Sequence, residues 1–483
     1  MGLQNNIIPG SSPPPAGGPE AAQRVDDVRI LTITIITADG TPIDITNDCA
    51  NVIIRENMFE HCLHGIATNF ESKNLPSNIP LTGSEGLRII FNSPGHPEID
   101  KVFVIDKLTP RMPLDNSQSQ LYDIHFVEPL FIQSMFNKIS KSYKTSISAM
   151  VSDIFKTYLT NAAGVELVDV EPTLGEQTLI IPNFNPMKAI HWLSRRAIAD
   201  DEHSSCNYVF YQDLSGFHFL SAGTLFDEAP VHEYVFGATD LDDTIRDNPK
   251  SDIDLNKTHS NMKNLVIDGF DRSLETHKGT WSSVMIYHDI INKNYGKVTY
   301  DYGLDFKTSR HINTHPIIPN YGNYSPQVDS KHYFVPVHLQ LHGQADTQVE
   351  YRSGNDGFFN YIQKHDANLT QLKSSSIRFD VGGDSDRRVG DIVSVIVHSF
   401  EGSDLEDNIE IDKMVSGNYI ITSIEHNISN SSKGHTLKLK LSKDSYIDSL
   451  PTSQETIIDT PSPTDMFDDN IPTNIGDFGG YVV

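Results

Sequence analysis

The chain has 483 residues, 38% of them hydrophobic, and carries 64 acidic against 37 basic side chains for a formal net charge of −27. That length allows roughly three domains, and the acidic balance argues against a groove built to hold nucleic acid. No apolar run approaches the ~20 residues of a membrane-spanning helix, and Cys49, Cys62 and Cys206 are too few for a disulfide framework, which suits assembly in a reducing cytoplasm.

Residues 1–25 contain Ser11-Ser12-Pro13-Pro14-Pro15-Ala16-Gly17-Gly18-Pro19 and read as a flexible N-terminal arm. The first residues, Met1 to Asn6, have neither the basic nor the apolar stretch of a signal peptide. Strands are expected from Val28 onward. Leu31 to Ile35 alternate apolar and hydroxyl side chains, Asp39-Gly40 marks a hairpin turn, and Ile43 to Thr46 resume the alternation. A strand pair is expected within Asn51 to Phe70, and three more strands at Leu87–Phe91, Lys101–Leu108 and Leu121–Val127 complete a β-barrel over 26–130.

The pattern changes after Pro129. Ile147, Met150, Val151, Ile154, Phe155 and Tyr158 recur at helical spacing. Asn185-Pro186 starts a second helix, with Asn as N-cap and Pro at the first helical position. Short strands at Glu166–Val168 and Thr178–Ile181 make 131–203 a small α/β domain. The hairpin Asn207–Phe219 is expected to open a second barrel, discontinuous over 204–229 and 335–447. The polar stretch 230–334, with a strand at Asn264–Ile267, reads as an inserted domain, and a helix is expected over Phe358–Leu372. Residues 448–483, rich in Pro, Thr and Asp, read as an extended C-terminal arm. The fold class is mainly β with α+β elements: two antiparallel β-barrels, a small α/β domain and an inserted domain.

One strand pattern occurs twice, about three hundred residues apart. Gly83 to Ser93, then Lys101–Leu108, then Leu121–Val127 form the first occurrence. Arg388 to Ser399, then Gly417–Ile424, then His435–Leu441 form the second. Each is a Gly-acidic turn, a buried strand, a second strand and a third with period-2 alternation. Two similar barrels per chain let three chains match a hexamer.

Catalytic signatures are absent. His232-Glu233 is followed by Phe236 where a zinc protease needs its second His, Gly296-Lys297 is followed by Val298 instead of Ser or Thr, and no Gly-x-Ser-x-Gly elbow occurs. Paired carboxylates arise by chance in so acidic a chain. The best metal candidate is Glu60-His61-Cys62-Leu63-His64 with Cys49 upstream, where a strand would put Cys62 and His64 on one face. His203 with Cys206 is weaker. Asp384, Asp386 and Asp391 crowd one loop, but Arg387 and Arg388 sit inside it, so a solvated turn with local ion pairs is expected in place of calcium. Lys138, Lys141 and Lys144 beside Tyr143 are read as the polar edge of a helix start. No catalytic, cofactor-binding or metal residue is assigned.

The order of several segments resembles the baseplate central hub protein of contractile-tailed bacteriophages, a tail hub family related to the hubs of contractile injection systems. The segments are Arg55–Phe59, Ile79–Glu85, Ser140–Lys144, Asn185–Leu193 with Arg195–Ala197, Phe210–Phe217, Val389–Val393 and Ser416–Ile421, and the likeness spans about 28–447. The stretch 230–335 and both arms fall outside it.

The resemblance implies a homotrimeric structural protein, not an enzyme, with two tail-tube-like barrels per chain in a pseudo-sixfold ring. One face would continue the hexameric tail tube and the other would seat the trimeric central spike. Such a ring is a symmetry adaptor and part of the DNA-ejection channel. DNA and the tape-measure protein would pass without specific binding, and tube and baseplate wedge proteins would be neighbours. No cofactor or metal is implied. The place would be the virion, in the phage tail baseplate, after assembly in the host cytoplasm. A tail-tip cell-wall hydrolase and a peripheral receptor- or carbohydrate-binding protein are the alternatives. The second is disfavoured by having only Trp192 and Trp281 to offer. Much of the acidic excess is expected to line the channel, at turns such as Asp384-Ser385-Asp386 and Asp404 to Asp407.

Overall fold

The computed structural model describes residues 28–79, 81–93, 96, 98–113, 119–159, 165–200, 205–236, 261–290, 293–318, 330–337, 358–398 and 411–448. Both expected arms lie outside this set, apart from Asp448.

Alternating inward residues build the first barrel from β1 (Arg29–Ile36), β2 (Pro42–Asp44), β3 (Cys49–Asn57), β4 (His64–Glu71), β5 (Gly86–Asn92), β6 (Ile99–Leu108), β7 (Met112–Pro113) and β8 (Gln120–Val127). Ile33 and Ile35, Val52 and Ile54, Leu87, Ile89 and Phe91, and Tyr122, Ile124 and Phe126 all enter one core. The strands pair antiparallel in the order β3-β4-β8-β6-β5-β1-β2. The turn between β1 and β2 carries Gly40 at a φ of 86°, a left-handed conformation that side chains disfavour.

A helix-rich layer follows, with β9 (Ile139–Thr145), β10 (Leu167–Val170), β11 (Gln177–Phe184), β12 (Tyr208–Gln212) and β13 (Phe217–Ser221). Its helices are Pro129–Phe136, Ile147–Ile154 and Pro186–Ser194. As expected, the Asn185 side chain caps the last of these, accepting from the Lys188 N–H at 2.8 Å, with Pro186 in the first turn. The helix read through Tyr158 stays α-helical only to Ile154 and widens into a π turn over Phe155–Leu159.

The hairpin β12–β13 differs from expectation. It pairs with β10, with β13 parallel to it, instead of joining the second barrel's sheet. Phe210, Phe217 and Phe219 share the helices' core, whereas Tyr211, on the opposite face, packs into the second barrel's core. A strand apolar on both faces reads as a barrel strand in sequence, and here it is the wall between two cores.

The second barrel uses β14 (His232–Phe236), β15 (Lys263–Ile267), β20 (Ser376–Gly382), β21 (Ile392–Val397), β22 (Gly417–Ser429) and β23 (Gly434–Ser442). Between β15 and β20 lie β16 (Ser282–Asp289), β17 (Asn294–Asp301), β18 (His315–Pro316), β19 (His332–Val337) and the helices Arg272–Lys278 and Phe358–Ser374, while β24 (Ser445–Tyr446) pairs with β18. A sheet β17-β16-β19 and the helix Phe358–Ser374 border a small core at Trp281, Tyr300, Tyr302 and Ala367. The insertion therefore interrupts the barrel at 268–375, not 230–334, because β14 and β15 are barrel strands. It also takes Tyr333 out of the barrel and into β19.

The repeat runs deeper than its three strands. In chain order β3, β4, β5, β6, β8 stack as β5-β6-β8-β4-β3, and β15, β20, β21, β22, β23 stack as β21-β22-β23-β20-β15. Even a register shift recurs. Ile105 opposes Phe126 and Lys107 opposes His125, while Ile421 opposes Leu441 and Ser423 opposes Lys440, so Asp106 and Thr422 are equivalent bulge residues.

Candidate functional site: the seam between the two barrels

The two barrels are joined by backbone pairing. The second half of β22, Ser423–Ser429, runs antiparallel to Asn57–Asn51 of β3, making one continuous sheet. Alternation places Glu56 inward beside Val52 and Ile54, and His426 inward between Ile424 and Ile428. His435 lies inward ahead of Leu437 on β23. These polar groups meet in a chain. Glu56 Oε1 lies 3.0 Å from His426 Nε2, His426 Nδ1 lies 3.2 Å from His435 Nε2, and His435 Nδ1 lies 3.0 Å from Ser93 Oγ.

Burial, reinforced by the nearby Asp213 carboxylate, pushes the Glu56 carboxyl up to about 8. Burial and the Arg388 charge push the His426 imidazole down to about 3. The pair thus holds one proton near neutrality. Burial alone would raise Asp213, but the hydrogen bond and charge of His218 outweigh it and hold Asp213 at about 2. A Ser-His-His-Glu chain and two carboxylates driven apart would suit acid–base catalysis in an open cleft. Here Glu56, His426 and His435 have 0% of their surface exposed and Ser93 1%, so no substrate reaches them. The network's chemistry is cohesion: it links the polar groups that the seam encloses, leaving Glu56 Oε2 as the oxygen without a partner among the described residues.

Further contacts border the seam. Arg55 Nε meets Glu425 Oε2 at 2.8 Å and Lys438 Nζ meets Glu425 Oε1 at 3.2 Å. The Asn430 amide donates to the Thr46 carbonyl at 2.6 Å. His96 Nδ1 lies 2.7 Å from Asp386 and 3.6 Å from Asp384, while Arg387 meets Asp384 at 2.8 Å. The acidic loop is thus engaged in local ion pairs, as the arginines suggested. His96, Asp384 and Asp386 are the one group among the described residues with ligand atoms close enough to share a cation. A second tie runs to the helical layer, where Gln212 accepts from the Leu63 N–H at 2.9 Å and donates to Glu128 at 2.7 Å.

The candidates read from the sequence do not converge. Residues Met58 to Leu63 form the connection before β4 and not a strand, so Cys62 and His64 share no strand face. His61 packs on the His191 ring at 5.0 Å, Cys62 lies against the helical core, and Cys49 donates to the Asn51 carbonyl inside the first barrel. His203 and Asp404 to Asp407 lie outside the described residues; Cys206 is buried, its thiol pushed up to about 12 by desolvation. Asp391 is pushed up to about 6 by burial. Lys138 precedes β9 while Lys141 and Lys144 lie on it, not at a helix start, and Lys141 pairs with Asp153 at 2.7 Å. The sequence signal for the seam was a polar residue at an inward position of an apolar strand, at Glu56, His426 and His435.

No helix among the described residues is long and apolar enough to cross a membrane. No family model matches the chain. A curated relative, the "probable baseplate hub protein gp334" of Vibrio phage KVP40, is 22% identical over 420 residues, covering 82% of this chain and 91% of the relative. Among solved structures, the tail protein of Neisseria meningitidis MC58 superposes with a TM-score of 0.50 at 10% identity, covering 86% of this chain and 96% of that one. The prophage MuSo2 tail protein of Shewanella oneidensis gives 0.48 at 9% identity, with 86% and 98% covered. The chain is therefore similar in sequence to a phage baseplate hub protein and in fold to a phage-type tail protein, which bears out the resemblance read from its segments.

Proposed function

We propose that this chain is a non-enzymatic structural hub of a phage tail baseplate, and that three copies close a ring of six barrels. In that role it adapts the sixfold symmetry of the tail tube to a trimeric central spike and surrounds part of the DNA-ejection path. Tube, wedge and tape-measure proteins are its neighbours, and its place is the virion after assembly in the host cytoplasm. The observation that carries the reading is the tandem duplication, in which two five-strand units share one strand order and one bulge position. A tandem pair in each of three chains gives sixfold repetition on a threefold axis. The curated relative's name and the likeness in sequence over 82% of this chain support the tail location. The sealed Glu56–His426–His435–Ser93 chain supports a mechanical role over a hydrolytic one.

Native mass spectrometry of the chain, alone and in baseplate particles, tests the reading. Stoichiometry in multiples of three is expected. A chain that stays monomeric or dimeric in the particle would refute it. The same particles should not retain duplex DNA at physiological salt, because an acidic ring repels phosphate.

A further inference from the structure

The seam inside the chain joins β22, the fourth strand of the second unit, to β3, the first strand of the first unit. The equivalent strands of the opposite units, β6 with β7 and β15, have no such partner. Among the described strands, β15 itself pairs only with β20, although Asn261 and Met262 just before it bridge to Val235 of β14, and the stretch after the β6 bulge pairs only with β8. The repeat thus leaves one donor edge and one acceptor edge of the kind it has already joined once.

We propose that these two edges pair between copies of the chain, Lys107–Thr109 of one copy running antiparallel to Asp268–Phe270 of the next, in the register of the internal seam. The proposal rests on the hub reading and names the contact that closes its ring. The register follows from the shared pairing pattern. The bulges make Lys107 the counterpart of Ser423, Leu108 of Ile424 and Thr109 of Glu425. On the other side, Ile267 opposes Ile377 as Ile54 opposes Gly65, which makes Asp268 the counterpart of Arg55, Gly269 of Glu56 and Phe270 of Asn57. Internally Ser423 opposes Asn57, Ile424 opposes Glu56 and Glu425 opposes Arg55. Between copies, Lys107 then faces Phe270, Leu108 faces Gly269 and Thr109 faces Asp268.

The surfaces fit such a contact. Val266, Ile267 and Phe270 expose 47%, 44% and 56% of their area on one edge, and Met112 exposes 56% on the other. Exposed apolar side chains on an open strand edge invite pairing. A side chain at Gly269 would find nothing within 4 Å, so the space on that face of the chain is empty.

The two seams are unequal. Between the pairs Leu108/Ile124 and Met112/Leu121 the first unit has one residue more than its partner strand, in a stretch holding Pro110. Proline has no N–H to give, and bulges blunt an edge. Gly269 also stands where Glu56 anchors the buried histidine chain. The contact between copies is therefore the shorter and weaker of the two, and the ring should come apart between chains while each chain's own seam holds.

Cysteine cross-linking tests this on the full chain. The Met58 N–H donates to the Thr422 carbonyl at 2.9 Å, so the next pair, Ser423 and Asn57, is non-hydrogen-bonded, with Cα atoms at roughly 4.5 Å. Its counterpart, Lys107 and Phe270, is then within disulfide reach. The double variant Lys107→Cys/Phe270→Cys, oxidised at high protein concentration, should give reducible two- and three-chain species. Lys107→Cys/Ile180→Cys, which uses the exposed Ile180 on β11, should give none. Equal cross-linking of both pairs, or none of the first pair in a sample that native mass spectrometry shows to be trimeric, overturns the seam and leaves the hub reading standing. Specific cross-links that run past three chains uphold the seam and refute the closed threefold ring.

Discussion

Replacing Glu56 by Gln should remove an alkaline weakness from the chain while keeping its shape. Folding raises this carboxyl from 4.5 to about 8. Between those values the folded chain keeps a proton that the unfolded chain releases, so the contribution of Glu56 to stability falls as pH rises and is lost through pH 8. His426 has the opposite sign. Its imidazole drops from 6.5 to about 3, so below pH 6.5 the unfolded chain takes up a proton that the folded one refuses, and stability falls with acid. The two slopes offset each other between pH 4.5 and 6.5, which is the window where the seam is strongest. Above pH 6.5, of this pair only the carboxyl contributes, at ~1.4 kcal/mol per pH unit, or ~2 kcal/mol by pH 8. Glu56→Gln does not titrate, and its amide still donates to His426. Urea denaturation of both proteins at pH 6.5 and 8.0, followed by far-ultraviolet circular dichroism, should show the stability difference shifting by ~2 kcal/mol in favour of the variant. Lys443, lowered to about 7 by burial, titrates in both proteins and cancels from the difference. Equal pH slopes would refute the buried-proton account of the seam.

Two other substitutions probe the packing around the seam. A Cβ at Gly65 would lie 2.2 Å from the Ile53 carbonyl oxygen and 2.4 Å from the Phe126 ring, so Gly65→Ala should cost ~1–3 kcal/mol in denaturant unfolding. Gln212→Leu strands the buried Leu63 N–H and the Glu128 carboxyl, so a loss of ~1–3 kcal/mol is expected, with faster hydrogen exchange at the Leu63 amide. Unchanged stability in either variant would show that the contact is replaced by water or by movement of the chain.

Strands with one buried face were legible in the sequence. Leu437, Leu439 and Leu441 alternate with Lys438 and Lys440, and the barrel turns inward on the three leucines. The hairpin Tyr208–Ser221 was legible as a hairpin but not as a wall, because a strand with two apolar faces names no partner. The insertion was misplaced for a related reason. Lys263–Ile267 is a mostly exposed edge strand, and its five residues carry too little alternation to mark it as barrel. The seam network was the least legible part. Glu56 and His426 are 370 positions apart, and only three-dimensional pairing puts them on adjacent rungs.

In the first unit, Met58 to Leu63 connect β3 to β4 directly. In the second, the same connection holds a whole module from 268 to 375, and the rungs on either side keep their order. That junction behaves as a mounting point. A module sits there without changing the strand order of the unit that carries it. In a ring that alternates the two units, the module would also appear on every second position, so a sixfold frame would acquire a threefold face from one splice.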